Sequence, residues 1–264
     1  MRFNALTVAL AIASLASWAG AQTASDSFNY TAGTGALANQ NGGTGWSSNW
    51  GGGGNTVTSP GLTFSKGGHT LVSSGNMATT VGGDNGNFRQ LPSTVSTGTE
   101  WVSLLTKLDS GTGGTGYAGF SLFNGGSENL FIGQPFNNPN WGIDQSTGLQ
   151  ATTVPVDGTT HLLVAEIDYG AGTAGNDRVR LYIDPTPGLS APDVAPAVDV
   201  STTRSASFNQ VRIQAGSNAS PVDFDEVRLD TSFAGVTPAS VPEPATLGLF
   251  ALAAAGLLAR KRSA

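Results

Sequence analysis

Between its two ends the chain alternates short apolar runs with clusters of turn-forming residues. Six runs have the length of strands: Glu100–Leu108, Tyr117–Phe123, Thr160–Asp168, Asp177–Ile183, Phe208–Gln214 and Val222–Leu229. Most are rich in β-branched and aromatic residues, and Gly, Asn, Asp or Pro lies near their ends. Leu62–Ser65, Thr70–Ser73, Phe88–Leu91, Asn129–Gly133 and Asn140–Asp144 read as weaker strands. No stretch between the ends sustains a helical period. Many short strands separated by turns predict an all-β, two-sheet sandwich. Gly33–Gly54 holds too few apolar residues for strands and reads as a surface loop. Asp184–Asp199, with Pro185, Pro187, Pro192 and Pro196, reads as a second long connection. Neither an internal repeat nor a second domain is visible.

The ends follow other patterns. After Arg2, an apolar run from Ala5 to Ala16 leads to Ala19-Gly20-Ala21, an A-x-A site that places cleavage between Ala21 and Gln22. A positive residue, an apolar run and a small-residue site are the layout of a secretory signal peptide over residues 1–21. Residues 237–264 hold Pro242-Glu243-Pro244, then an apolar stretch with Leu247, Leu249, Phe250, Leu252, Leu257 and Leu258, then Arg260-Lys261-Arg262. The prolines keep the chain extended, because each fixes φ and disfavours helix in the residue before it. As a helix, Ala245–Ala259 would span about 22 Å at ~1.5 Å per residue, short for a permanent span of ~20 residues. The basic cluster would stay on the cytoplasmic side as a stop-transfer signal. Residues 22–236 are then the passenger.

Pro-Glu-Pro, a short apolar helix and a basic cluster, in that order, resemble the PEP-CTERM sorting tail of Gram-negative bacteria. The resemblance implies Sec export, a transient inner-membrane intermediate, and cleavage near Val241–Pro244 by exosortase. The passenger would then reach the cell surface or the extracellular matrix. The order of strands resembles the concanavalin A-like, laminin G-type jelly roll. Asp26-Ser-Phe-Asn-Tyr-Thr-Ala-Gly33 with Asn41-Gly-Gly-Thr-Gly-Trp46 resembles the start of such domains, and Val222–Asp230 followed by Thr231-Ser-Phe233 resembles their last strand. This implies a fold; function has to be argued from a site.

Composition narrows the chemistry. Outside the ends, eight basic residues face seventeen acidic ones, a net charge of −9, which disfavours a nucleic-acid partner. The chain has no cysteine, so disulfides and thiolate metal sites are excluded and the fold rests on its core or on bound ions. Its 37 glycines suit tight turns that need positive φ.

The sharpest catalytic candidate is Glu166-Ile167-Asp168, whose carboxylates share one strand face. Laminarinase-type jelly-roll hydrolases carry a further Glu three residues after that Asp, and here Ala171 stands there. Retaining chemistry needs a second carboxyl about 5–5.5 Å from the first, so an acidic outward strand face is the preferred reading. Asp223, Asp225, Glu226 and Asp230 form an acidic cluster in which Asp223 and Asp225 share one face, and Val222, Phe224 and Glu226 the other. Hard oxygen ligands suit calcium, which the laminin G resemblance also implies. The spacing matches no calcium loop, however, and pairing with a basic residue such as Arg212 explains the cluster equally well. No metal-ligand set is assigned.

Trp46, Trp50 and Trp141, with Tyr117 and Phe136, lie in Gly/Asn-rich stretches. Either they stack on sugar rings or they cap the sandwich core, where Trp101 also belongs. His69 and His161 stand apart. No phosphate loop or nucleophile elbow is present, and the threonines form no regular ice-binding array. The expectation is an exported, non-catalytic protein with a binding or structural role in the envelope or exopolysaccharide matrix. The alternative is a carbohydrate-active enzyme or calcium-dependent lectin on the same fold.

Overall fold

The computed structural model describes residues 24–240, apart from Asp84, Thr112, Ser146, Thr147 and Ser217. The signal-cleavage residues Ala19 and Ala21, the Pro242-Glu243-Pro244 motif, the anchor leucines with Phe250, and Arg260, Lys261 and Arg262 lie outside the described residues. Among those described, no helix is long and apolar enough to cross a membrane.

Eighteen strands follow one another: β1 (Ala24–Asp26), β2 (Gly51–Gly52), β3 (Thr56–Thr58), β4 (Ser65–Lys66), β5 (His69–Leu71), β6 (Met77–Thr79), β7 (Asn85–Val95), β8 (Thr99–Leu108), β9 (Ala118–Asn124), β10 (Ser127–Gln134), β11 (Asn140–Asp144), β12 (Gln150–Pro155), β13 (His161–Asp168), β14 (Arg178–Ile183), β15 (Val198–Ser201), β16 (Phe208–Ala215), β17 (Val222–Asp230) and β18 (Ala239–Ser240). One short helix, α1 (Phe233–Val236), precedes β18 and is capped by the Ser232 hydroxyl, which accepts from Gly235 N.

The strands form the expected jelly-roll sandwich. The first sheet runs β15-β14-β13-β8-β17-β6-β3, with β1 also paired to β17; the second runs β12-β11-β10-β9-β16-β7-β2. A small third sheet, β18-β5-β4, lies outside the first. Between the two large sheets lies a core containing Trp50, Phe120, Trp141, Phe208 and Phe224. A second apolar cluster, with Leu71, Trp101, Leu105, Leu162, Phe233 and Val236, covers the opposite face of the first sheet. The first sheet is therefore buried on both faces. This explains why β8 and β13 read as continuous apolar runs rather than alternating ones. The second sheet keeps one face turned away from that core.

All six strong strands are observed, each within a residue or two of its expected ends. Leu62–Ser65 is not a strand except at Ser65, because Leu62 N donates to Asp225 Oδ2 at 2.7 Å instead of joining a ladder. The loop expected at Gly33–Gly54 does connect elements over most of its length, but it is not wholly a surface loop. Leu37 and Trp50 are fully buried, held by Asn39 N to Trp50 O (2.7 Å) and Trp50 N to Gln40 O (2.9 Å). Pairing continues past Val236, since Ala239 and Ser240 form β18 against β5.

Candidate functional site

Along β9 the alternation is Ala118, Phe120 and Leu122 toward the core and Gly119, Ser121 and Phe123 outward. Register then places side chains in rows on the outward face of the second sheet. Asp144, Phe131, Ser121 and Arg212 are partners across four strands, as are Gly142, Gly133, Gly119 and Gln214. Phe123 sits between Glu128 and Gln210. An outward sheet face is ordinarily polar; this one carries two phenylalanines that are almost covered, Phe123 at 6% and Phe131 at 4% exposure.

Particular contacts hold these rings. A Cβ on Gly119 would lie 2.3 Å from the Phe131 ring, so glycine there lets the ring rest flat on the sheet. Tyr117 meets Phe131 edge-on at 6.1 Å between centroids. The Arg212 guanidinium stacks over Phe123 at 4.0 Å, and its Nε has no partner among the described residues. Gln214 donates to Ser121 Oγ (3.0 Å) and to Glu128 Oε2 (2.8 Å). Tyr117, Phe123, Phe131, Phe136, Asp144 and Arg212, with Glu128 and Gln214, line a cleft of about 300 Å³. Tyr117 and Phe136 also line an adjoining cavity of about 460 Å³, together with Thr115, Asn137 and Asn218. Phe136 stands 64% exposed between the two.

Of the five aromatics singled out by sequence, Tyr117 and Phe136 meet here and the tryptophans do not. Trp50 and Trp141 are fully buried, and Trp46 packs against the same core, so for these three the capping role holds. Sequence reasoning missed Phe123, Phe131, Glu128, Asp144 and Gln214. The available signal was that Phe120-Ser-Leu-Phe123 and Leu130-Phe-Ile132 are apolar on both strand faces, which a half-solvated sheet does not require.

The other candidates lie elsewhere. Glu166 and Asp168 share a face of the first sheet, as expected, and both pair with Arg180 Nη1, at 2.6 and 2.8 Å. Glu166 also accepts from the Tyr182 hydroxyl (2.8 Å), and Asp168 from that of Thr99 (2.6 Å). Ala171 lines a separate polar cleft whose one carboxylate, Asp199, is paired with Arg178 at 2.5 Å.

The acidic cluster is dispersed into local roles. Asp223 accepts from Thr79 Oγ1 (2.6 Å) and faces Lys107 (3.5 Å). Asp225 accepts from Leu62 N and Glu226 N; burial, and then the neighbouring Glu226, push its pKa up to about 9. Asp230 accepts from Ser232 N and Oγ. Arg212 is not the cluster's partner, because β16 lies in the other sheet; Arg228 pairs with Glu226 instead. A bulge between Asp225 and Arg228, with Glu226 at φ 51°, breaks the alternation. Val222 and Phe224, then Val227 and Leu229, face the core, and Glu226 does not continue that face. Among the described residues no three His, Asp or Glu side chains converge as a metal-binding group. His161, isolated in sequence, is bonded through Nδ1 to Asp184 (2.8 Å). Burial opposes its charge, but Asp184 and Asp157 outweigh that and raise its pKa.

No curated protein matches the chain. Among solved structures it is similar to a sialidase at 8% identity and a TM-score of 0.44, covering 64% of this chain and only 16% of the sialidase. It is also similar to the exoplasmic/lumenal domain of VIP36, at 9% identity and a TM-score of 0.40, covering 62% of this chain and 81% of that one. The globular domain of T. cruzi calreticulin matches at 10% identity and a TM-score of 0.40, over 68% of this chain and 79% of that one. The C-terminal residues expected to direct sorting match a family pattern directly: residues 240–263 are a PEP-CTERM protein-sorting motif, carried behind an all-β sandwich.

Proposed function

We propose that this is an exported, exosortase-processed surface protein whose sandwich binds a neutral, hydroxyl-rich extracellular polysaccharide without catalysing its cleavage. The sorting motif supports the route. The observation that carries the binding role is the aromatic cluster on the outward face of the second sheet, which the sandwich core does not use. Phe136, the exposed ring, offers its face to the C–H side of a sugar above the covered Phe123 and Phe131. Arg212 donates, and Glu128 and Asp144 accept, which is what hydroxyl recognition requires; Gln214, spent on Ser121 and Glu128, holds Glu128 in place. Two carboxylates in the cleft and an acidic passenger disfavour a polyanion. Because the two cavities share Tyr117 and Phe136, the occupant is a chain of several sugars rather than one.

Glu166 and Asp168 do not enter this role. Arg180 Nη1 is paired with both carboxylates, and Ala171 stands where the hydrolase pattern has its further Glu.

Co-sedimentation of the exported protein with the producing cell's exopolysaccharide tests the reading. Phe136→Ala should weaken retention by about tenfold, the loss of roughly 1–1.5 kcal/mol of ring contact. Unchanged retention would refute the groove.

A further inference from the structure

The last described strand ends where the sorting motif begins. β18 pairs with β5 through Ala239 opposite Leu71 and Ser240 opposite Thr70, and Val72 N donates to Pro238 O at 2.8 Å. The motif starts at residue 240, and Val241 alone separates Ser240 from Pro242.

The chain is firmly held up to one point and weakly beyond it. Val236 and Thr237 are fully buried. The Thr237 hydroxyl donates to Phe233 O (2.8 Å), and Thr237 O accepts from Gly188 N (2.6 Å). After Pro238 only two residues remain in the ladder. β18 is an edge strand of the three-stranded sheet, and Ser240 is exposed, its hydroxyl 3.4 Å from Thr70 O. Such an edge opens locally at far lower cost than the core behind it.

Residues 241–244 are all that separate β18 from the apolar stretch beginning at Ala245. Fully extended, four residues reach at most about 14 Å. Recognition of a peptide segment commonly takes it as an extended strand through its main-chain groups, and those of Ala239 and Ser240 are engaged with β5.

We infer that β18 is a releasable strap, and that the sorting enzyme acts on chains in which Ala239 and Ser240 have left β5, with Pro238 as the hinge. Release adds Ala239 and Ser240 to the four residues ahead of Ala245, six in all, about 21 Å if fully extended. The inference rests on the exosortase reading above and adds to it a local opening step that sets the rate of tail removal.

A disulfide across the strap tests this cleanly, because the chain has no cysteine of its own. Ser240 and Thr70 are register partners, and antiparallel partners lie about 4.5–5.5 Å apart at Cα, within disulfide range. The double variant Thr70→Cys/Ser240→Cys is expressed as the full chain in the producing cell, and loss of the tail is followed by pulse-chase and mass spectrometry. Tail removal should slow by about tenfold or more, since the competent fraction is locked away. A mild reductant should restore it, and so should a Gly/Ser spacer inserted after Ser240 in the locked chain. Tail removal at the wild-type rate in the locked chain, or failure of reduction to restore it, would overturn the strap. If the wild-type chain itself keeps its tail, the sorting reading falls and the strap with it. Abolished processing in Pro242→Ala/Pro244→Ala, beside normal processing of the wild type, confirms that the motif is being read.

Discussion

Replacing Asp26 by Asn probes the interaction that fastens the N-terminal strand and the Gly33–Gly54 segment to the sandwich. Asp26 is 2% exposed. Its Oδ2 accepts from the Tyr30 hydroxyl (2.6 Å), from Trp50 Nε1 (2.8 Å) and from Arg89 Nη1, while Oδ1 accepts from Phe28 N (2.9 Å). Arg89 is equally buried; it also donates to Ser48 O (2.9 Å) and lies 5.1 Å from the Trp46 ring. The substitution keeps the volume but removes the only carboxylate paired with that guanidinium among the described residues. It also turns one acceptor into a donor, which faces Phe28 N when the amide oxygen keeps the other three partners. Stranding a buried charge in this way costs about 3–5 kcal/mol, a large share of a domain stability of about 5–15 kcal/mol. Urea unfolding followed by tryptophan fluorescence measures the loss directly. The segment carrying Trp46 and Trp50 should also become cleavable by protease before global unfolding. A loss below about 1 kcal/mol, the range of exposed ion pairs, would refute the reasoning. It would mean that water reaches Arg89.

Three further outcomes follow from the same geometry. Burial, and then the charge of Asp230, push the Glu100 pKa up to about 8, and its Oε1 has no partner among the described residues. Between the usual glutamate value of about 4.3 and that value, the unfolded chain releases a proton that the folded chain keeps, so stability falls as pH rises, by up to about 1.4 kcal/mol per unit. Glu100→Gln should remove one proton's worth of that slope in urea titrations at pH 5 and 7.5, leaving the share of Asp225; equal slopes in the two chains would contradict it. Glu166→Gln should leave polysaccharide retention unchanged and lower stability by about 1 kcal/mol, as expected for a partly exposed, hydrogen-bonded carboxylate, and a reducing-sugar assay should read zero before and after the change. Chelation of calcium should leave both melting temperature and polysaccharide retention unchanged, because Asp223, Asp225, Glu226 and Asp230 are each engaged by protein donors. A drop of several degrees would show that an ion is bound.

Local composition made the long strands legible. In β8 and β13 burial on both faces selects near-continuous apolar runs, and β17 stands out by Val222, Phe224, Val227 and Leu229 set among charged residues. The short strands β2, β6 and β15 did not stand out. Gly51–Gly52 pairs with β7 without a side chain to announce it, and Met77–Thr79 is held by its position between β17 and β3. The tryptophans in glycine-rich sequence left a sugar-stacking reading open beside the core-capping one for a related reason. Glycine and asparagine mark turns, but they do not say whether the turn folds its aromatic inward, as Asp26 does for Trp50. The outward face of the second sheet was half legible. Tyr117 and Phe136 were visible as aromatics beside turns, whereas Arg212, Phe131 and Asp144 become neighbours only through the register of β16, β9, β10 and β11. The bulge at Glu226 shows the same limit, since one inserted residue reassigns every later side chain of β17 to the opposite face.

On the proposed reading, the outward face of the second sheet holds an extracellular polysaccharide. Titrating the isotopically labelled mature protein with neutral exopolysaccharide fragments, and following amide shifts by NMR, tests it most directly. Shifts should concentrate at Tyr117, Phe123, Phe131, Phe136, Arg212 and Gln214, with little change at Glu166, Asp168 or Arg180 on the first sheet. Shifts centred on the Arg178–Asp199 cleft, or none at any fragment length, would contradict it.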